Sequence, residues 1–590
     1  MMIMKQLRLV ATTLLLVQTT LGNAPQQWAL QGLTFFSPRS QGTNLAQQIV
    51  GWHPYIHMFT EGRCYFTFAT SLAYNHSRRP ERINAALWSN DVLAITGSHL
   101  TTRGDYDLIA DHFGLSPYFQ SRVKLEPSIR NGMLNFDFYC GLDGITKGLY
   151  VQGHIPAVWT RWFYQLCEEL EPTSENTDFE AGYMGDGEVP VGATCFKEAI
   201  AGCTKSFGDM QDPMRYGKIS PCPLTKRGVA DLHLFVGYDF VSRETSHAGL
   251  NLRIVIPTGN RPNGEYLFEP IIGNGRHVEL GVGFTGHTLV WESSGDQELT
   301  FWTTLTLHHL FRARQCRSFD LNRGICKPDC SGYNCRPDPC TPGAVDGVMC
   351  EEGFCCQSAA RCCTTTNYGS RYMLMKKFDA HGEYANELTP VINHTTLPCK
   401  VSVDIRTELL LMLGYTYRNF LFDVGYDGWM RSKEKIKIKA CPFKDENYAL
   451  KGIQQVRDTA LPERTANDTQ SHATLAGYCD NHELAIRTND DGTTRTFAEK
   501  QVALRDEDSP VFITPEMVET RSAASPRLLT HKLFTHLGYI GTEEDNRPIA
   551  PFCGVGLEVE FEGVNPTYVE VPVKNTLSQW SIWTRGGIHF

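Results

Sequence analysis

The sequence predicts an all-β protein: a closed, antiparallel transmembrane β-barrel of roughly 12 to 16 strands with long extracellular loops. The first observation is the last segment, residues 577–590, in which apolar residues alternate with Ser, Arg and His. Such a period of two gives a strand two faces that suit two different surroundings. The second is that similar alternation recurs along most of the chain. The third is the absence, after the N-terminus, of the roughly 20 apolar residues that a membrane-spanning helix needs.

The N-terminus predicts export. Lys5 and Arg8 precede the apolar run LVATTLLLV, and small residues follow near Gly22. This order is typical of a cleaved secretory signal peptide, here residues 1–22, and the run is too short to span a bilayer as a helix. The chain has 55 basic and 65 acidic residues, so it lacks the basic surface that nucleic acid requires as a partner.

Residues 23–62 are predicted to be a periplasmic N-terminal segment with a short helix. Leu45, Ile49 and Trp52 have helical spacing, and Asn44 is a candidate N-cap. Two interpretations remain open. The favoured one is a leader that packs on the mouth of the barrel, and the other is a plug inside the lumen.

Residues 63–590 are predicted to form the barrel. Alternating segments occur near residues 64–74, 134–142, 149–163, 232–240, 251–256, 278–290, 299–311, 401–415, 420–427, 533–539, 555–561 and 577–590, and a weaker pair occurs near residues 83–87 and 92–95. Most are long enough to cross a bilayer at a tilt, for which about 9 to 11 residues suffice. Residues 168–228 are predicted to be a long loop, and Arg418-Asn419 a tight hairpin turn.

Charged residues and glycines occupy the minority face of these strands, which suits a wet lumen. The lumen-lining candidates are Glu279, Asp404, Arg406, Glu408, Asp423, Asp427, Glu558, Glu560, Arg253 and Arg585. The carboxylates could form a constriction that prefers cations. Alternatively, they could be wall residues that pair with the three arginines.

The terminal strand, with Trp580, Ile582 and the final Phe590, resembles the C-terminal β-signal of bacterial outer-membrane barrel proteins. The chain as a whole resembles uncharacterised outer-membrane barrels of the porin and transporter type. Its segment NLRIVIPTGNRP resembles strand-and-turn segments of outer-membrane transporters for hydrophobic compounds. The resemblance implies residence in the outer membrane, contact with its lipid, and recognition of those three residues by the barrel-assembly machinery.

Residues 316–363 form a cysteine-rich insert, predicted to be an outer loop stapled by disulfides. Its cysteines are Cys316, Cys326, Cys330, Cys335, Cys340, Cys350, Cys355, Cys356, Cys362 and Cys363. A segment rich in Pro and Gly cannot bury a core of its own, and an exported chain can form disulfides. Metal binding is the less favoured alternative, because no paired CxxC frame is present. The insert could be a lid, a protective cap or a binding surface.

Nothing in the sequence indicates an enzyme, a cofactor or a metal site. The motifs GxSxG and HExxH and the P-loop are absent, and His308 and His309 point to opposite faces of a strand. The first functional hypothesis is a passive channel or uptake pore for small solutes. The second is an anchor that displays the cysteine-rich loop for adhesion or partner binding, and a barrel hydrolase is a weaker third. The bulky residues Trp302, Trp429 and Trp583 leave the width of the lumen open, and the sequence leaves the solute and the oligomeric state undetermined.

Overall fold

The computed structural model describes residues 32–60, 62–88, 90–100, 107–181, 183–185, 187–293, 296–321, 369–379, 384–444, 447–451, 487–488, 494–495, 512–541, 549–562 and 577–590. The predicted signal peptide, and every cysteine of the insert except Cys316, lie outside these residues. In the described part of the chain, helices long and apolar enough to cross a membrane are absent.

Twelve strands form a closed ring in which every neighbouring pair is antiparallel. We number them β1 Cys64–Arg78, β2 Gln120–Leu142, β3 Leu149–Leu170, β4 Leu232–Arg243, β5 Ser246–Ile256, β6 Glu279–Ser293, β7 Gln297–Ser318, β8 Thr396–Tyr417, β9 Phe420–Arg431, β10 Leu528–Ile540, β11 Ala550–Glu562 and β12 Ser578–His589. Strands that follow each other in sequence are neighbours, and β12 closes the ring on β1 from Thr67↔His589 to Arg78↔Ser578. Closure removes the free sheet edges, so every strand is paired on both sides.

The barrel is polar inside and apolar outside. Leu72 on β1 is 63% exposed and Leu537 on β10 is 60% exposed, whereas the inward-pointing Asp137 and His536 are 0% and 1% exposed. An apolar outer belt around a polar interior is the arrangement of a barrel that sits in lipid. The predicted fold class is therefore confirmed, with a strand number at the lower bound of the prediction.

One end of the barrel carries short connections and the other carries long ones. At the short-turn end, β8 and β9 are joined by the predicted hairpin, in which Arg418 has a positive φ of 53°. At the long-loop end, β2, β3, β7 and β8 extend to 22 or 23 residues, about twice the length that crosses a bilayer. Their projecting halves and the connecting segments around them form a folded region that we call the cap.

The cap contains short strands and helices. The strands are Val92–Thr96, Leu108–Ile109, Leu224–Val229, Asp320–Leu321, Leu374–Phe378, Tyr384–Pro390, Glu434–Ile438, Tyr448–Leu450 and Val518–Glu519. In the connection between β9 and β10, Arg487–Thr488 also pairs with Thr494–Arg495. The α-helices are α1 Leu45–Ile49, which lies in the lumen, and α2 Pro80–Leu87, α3 Phe196–Ile200 and α4 Val391–Thr395 in the cap. The 3₁₀ helices are His53–Tyr55, which lies in the lumen, and Ala110–Phe113, Ser370–Tyr372, Pro515–Met517 and Thr520–Ala523 in the cap.

The cap is held together by its own hydrophobic cores. The largest lies around Trp88, Phe113, Phe196 and Tyr372, which come from three different connections of the barrel. A second core, around Phe319, packs residues from the connections that precede β8 and β10. The cap is therefore a packed layer over one end of the barrel.

Candidate functional site

The lumen is occupied by residues 32–60, which we call the inner segment. At the cap end, the Leu33 amide donates to the Ala86 carbonyl at 2.8 Å, and the Thr34 amide donates to the Ser522 carbonyl at 2.8 Å. At the short-turn end, the Tyr55 hydroxyl donates to the Gly541 carbonyl at 2.5 Å, shortly before β1 begins. Every residue of the segment is buried or half-buried. The chain thus runs through the whole barrel, as the plug interpretation proposed, and does not rest on its mouth.

Below the cap, the Arg39 guanidinium joins the inner segment to three carboxylates of the wall. Its nitrogens contact Glu408, Asp427 at 3.0 Å and Glu560 at 3.4 Å. The Lys532 ammonium lies 3.5 Å from Asp427. Because the side chain of Arg39 is only 6% exposed, its loss would leave buried carboxylates without their main partner.

Helix α1 follows and is tied to the same wall by neutral polar groups. The Asn44 side chain accepts a hydrogen bond from the Gln47 amide, so Asn44 is the N-cap of the helix. The Asn44 and Gln47 amide groups donate to Glu558 at 3.0 and 3.1 Å, and the Leu45 amide donates to Glu408 at 2.9 Å. The inner segment is therefore held here by hydrogen bonds to charged groups, which are stronger than hydrogen bonds between neutral groups.

In the middle of the lumen, Arg585 of β12 connects the wall to the backbone that follows α1. Its guanidinium donates to the Val50 carbonyl at 2.7 Å and pairs with Asp137 at 2.8 Å. Asp137 also lies 2.7 Å from His154 Nδ1. Arg585 thus holds the backbone of the segment while its own charge is compensated by the wall.

At the short-turn end, the inner segment meets a cluster of imidazoles. His57 Nδ1 lies 2.8 Å from Asp239 Oδ2, and the rings of His57 and His247 are stacked at 4.3 Å. His287 Nδ1 faces His247 Nδ1. This cluster was missed at the level of sequence, because its members come from the inner segment, β4, β5 and β6 and share no motif or spacing.

Nine of the ten lumen-lining candidates point into the barrel and are at most 6% exposed. These are Glu279, Arg406, Glu408, Asp423, Asp427, Glu558, Glu560, Arg253 and Arg585. Two of the three arginines pair with carboxylates of the wall, and the cation-preferring constriction stays a prediction. Arg406 pairs with Glu279 at 2.8 Å and Arg585 with Asp137, but Glu408 and Glu560 face Arg39 of the inner segment. The bulky residues Trp302, Trp429 and Trp583 are also buried inside.

Asp404 lies instead on the outer face, where its side chain is 50% exposed and pairs with Lys435 at 2.7 Å. A bulge in β8 is the reason. Arg406 pairs with His308 and Val403 with Leu310, so that Asp404 and Ile405 together oppose the single residue His309. An extra residue in one strand reverses which of the residues beyond it point into the barrel and which point outward.

The other predicted residues concern assembly and disulfides. Trp580, Ile582 and Phe590 lie on the outer face and are 39%, 41% and 50% exposed. Cys316 lies near the end of β7 and forms no disulfide with any cysteine in the described ranges. The other nine cysteines of the insert lie outside those ranges, so their pairing stays a prediction.

Little free volume remains between the inner segment and the wall. A cavity beside Arg39 and Trp429 offers about 30 Å³ to the centres of water molecules, and one beside Tyr150 and Trp302 offers about 10 Å³. Each can hold one water molecule or a few, because about 10 to 15 Å³ of such space is needed for one. Within the part of the chain that the structure describes, neither cavity has room for a solute much larger than water.

No protein-family model and no curated protein sequence matches the chain. Among solved structures, an outer-membrane channel of Pseudomonas putida F1 aligns over 89% of this chain and 95% of its own, with 9% identity and a TM-score of 0.29. A FadL homologue of Pseudomonas aeruginosa aligns over 96% and 98%, with 7% identity and a TM-score of 0.25. The toluene transporter TbuX of Ralstonia pickettii aligns over 94% and 98%, with 8% identity and a TM-score of 0.24. At such low scores, these likenesses decide nothing about the function of this chain.

Proposed function

We propose that the protein is an outer-membrane channel for small solutes that its own inner segment closes, and that solutes pass when this segment leaves the lumen. The observation that carries the proposal is the way the segment is held. Inside the ring, Arg39, Asn44 and Gln47 bind carboxylates of the wall, while Leu45, Ile49 and Trp52 pack into an apolar core that they share with the wall. Water can replace the polar contacts when the lumen fills, and the apolar contacts set the remaining cost of opening.

The wall exposed by such a movement would be acidic. Between the cap and the short turns it carries the inward-pointing carboxylates Asp137, Asp239, Glu279, Glu408, Asp423, Asp427, Glu558 and Glu560. Its inward-pointing bases there are Arg253, Arg406, Lys532 and Arg585, since Arg431 pairs with Glu434 of the cap. An excess of fixed negative charge favours cations over anions. The open channel should therefore prefer small polar cations.

The test is single-channel recording in planar bilayers with Arg39→Ala. The substitution removes the partner of Glu408 and Glu560, and breaking a buried ion pair costs about 3 to 5 kcal/mol. We expect a silent wild type, and discrete cation-selective steps from Arg39→Ala. Asn44→Ala/Gln47→Ala, which strips Glu558 of both amide donors, should open the channel independently. Arg418→Ala, at an exposed turn 3.8 Å from Asp296, is the matched control and should stay silent.

A second function, the display of a binding surface, is favoured by one observation: the cap has its own hydrophobic cores while the lumen is filled. In that case the barrel is an anchor. Silence from both opening variants, in protein that still migrates as a folded barrel on unheated gels, would reject the channel and favour this function.

A further inference from the structure

The cluster at the short-turn end has the composition of a metal site. We propose that His57, Asp239, His247 and His287 bind one late first-row divalent cation of the Zn²⁺ type, which fastens the inner segment to β4, β5 and β6. Only His57 belongs to the inner segment, and the other three residues belong to the wall. The binding site itself is independent of the proposed function, whereas its effect on opening rests on it.

The donor atoms are close enough for one ion. One nitrogen or oxygen of each of His57, Asp239 and His247 lies within 4.8 Å of the others, and all three residues are buried. Bonds of about 2.0 to 2.2 Å to His nitrogen and carboxylate oxygen are usual for zinc, so its ligand atoms lie about 3 to 4 Å apart. The rings of His57 and His247 are parallel within 2°, so one ring must turn for both lone pairs to meet the ion.

Hydrogen bonds leave the cluster incomplete. His57 Nδ1 is hydrogen-bonded to Asp239 Oδ2, but Asp239 Oδ1 has no hydrogen-bond partner among the described residues. His247 Nδ1 and His287 Nδ1 point at each other, and two neutral ring nitrogens of this kind need a proton or a cation between them. A buried acceptor without a partner costs about 1 to 3 kcal/mol. A divalent cation would satisfy the carboxylate and would take the place of the proton between the two facing rings, once these rings move apart to the spacing of metal ligands.

The backbone and the surrounding aromatic groups orient these donors. His57 has a positive φ of 55°, which is uncommon outside glycine and is typical of positions where the fold imposes a side-chain direction. A bulge follows Asp239 in β4, where the register shifts before Val241. The ring of Trp302 stacks on His287 at 4.4 Å, and that of Tyr150 meets His57 edge-on at 4.6 Å. Groups that pack around metal ligands in this way fix the orientation of the ligands and exclude water.

The donors also select the ion. Imidazole suits zinc, copper and nickel, whereas magnesium and calcium prefer sites made only of oxygen. Three imidazoles and one carboxylate form a four-ligand set, as structural zinc sites do. We therefore expect Zn²⁺ and Co²⁺ to bind and Mg²⁺ not to bind.

The test uses the full chain, folded in detergent, stripped with a chelator and titrated with Co²⁺. We expect one equivalent to bind with the visible absorption of four-coordinate cobalt, and Zn²⁺ to displace it. His57→Gln and His247→Gln each remove a ligand, so each should weaken Co²⁺ binding by at least about 10- to 100-fold, the loss expected when only a hydrogen-bond partner of a ligand is removed. His154→Gln, which removes a buried lumen imidazole bound to Asp137, is the matched control and should bind as the wild type does.

Absence of Co²⁺ binding by the wild type, or equal binding by His57→Gln and His247→Gln, would overturn the site. If His247→Gln does not fold, the half-buried His287→Gln provides the same comparison. In a second arm, Zn²⁺ is added to the conducting Arg39→Ala variant. Fewer channel openings with Zn²⁺, and no such decrease when His57→Gln is also present, would support the proposal that the ion fastens the inner segment. Unchanged openings would reject that role, whereas the existence of the metal site is still decided by the titration.

Discussion

At the scale of single residues, Gly51 shows how closely the inner segment fits the wall. Its φ is +88°, and a Cβ atom at this position would lie 2.8 Å from Nε2 of His536. His536 is itself held 3.1 Å from Asp423. The chain therefore passes His536 at a point that has room for no side chain.

We predict that Gly51→Ala loosens the inner segment. The positive φ alone costs a non-glycine residue about 1 to 2 kcal/mol, and the clash adds to it. Gly62→Ala is a matched control, because Gly62 has a φ of +78° but no atom within 4 Å of its Cβ position. The temperature at which the folded band is lost on gels should fall further for Gly51→Ala. An equal fall in this temperature for the two variants would mean that His536 moves aside without a cost in stability.

Glu269, in the cap connection between β5 and β6, provides a test of how the stability of the protein depends on pH. Burial raises its pKa, although nearby Lys226 and the amides of Asn263 and Gly264 lower it. Because the folded state favours the neutral acid, its contribution to stability is greatest below the unfolded pKa of about 4.3 and is lost as the pH rises through the folded pKa. Both amides donate to Oε1, which a glutamine can replace.

We therefore predict that Glu269→Gln gains stability relative to the wild type as the pH rises from 4 to 8. The measurement is the midpoint of urea unfolding at each pH, with the exposed Glu175→Gln as the control. A difference that stays constant with pH, or that moves in favour of glutamate, would show that Glu269 is not penalised by burial.

At the scale of elements, β8 and β12 show where a period of two is sufficient and where it fails. In β12 the alternation holds from Trp580, which is exposed, through Trp583, which is 1% exposed, to Ile588. In β8 the bulge at Asp404 and Ile405 reverses the phase, so the buried Val401 and Val403 precede it. A bulge carries no clear signal in one strand, because it depends on what the neighbouring strand pairs with.

The outer face of β12 yields a prediction about depth in the membrane. Ile582 is 41% exposed and lies near the middle of the strand, whereas Ile588 is 40% exposed and lies near its end. Lysine on the lipid face costs about 2 to 4 kcal/mol at the midplane and about 0 to 1 kcal/mol near the interface. Ile582→Lys should therefore reduce the free energy of unfolding in lipid vesicles far more than Ile588→Lys does. Similar costs would contradict a membrane belt centred on Ile582.

At the scale of the whole molecule, the inner segment and the strands give the two ends of the barrel different roles. The segment enters under the cap beside Arg317, whose guanidinium lies 3.7 Å from the ring of Phe35, and leaves beside the short turns. Outer-membrane barrels place their long loops outside and their short turns in the periplasm. On this basis we expect the cap to face the exterior.

We predict that an epitope inserted after Asp212, an exposed cap residue between β3 and β4, is accessible to antibody on intact cells. The same epitope inserted between β10 and β11, at the short-turn end, should be reached only after the outer membrane is permeabilised. A periplasmic protein detected in parallel controls for leakage. Surface labelling of the second epitope alone would reverse the proposed orientation.

The sequence by itself determined the barrel, its apolar belt and the inward direction of nine of the ten chosen lumen residues. It could do so because a strand alternates with a period of two and because lipid and lumen select different side chains for its two faces. Only the tertiary structure decided that the lumen is filled, that Arg39 meets Glu408 across 369 residues of sequence, and that His57 joins His247 and His287. Such contacts depend on which strands the closed ring brings opposite the inner segment, and local periodicity does not record that information.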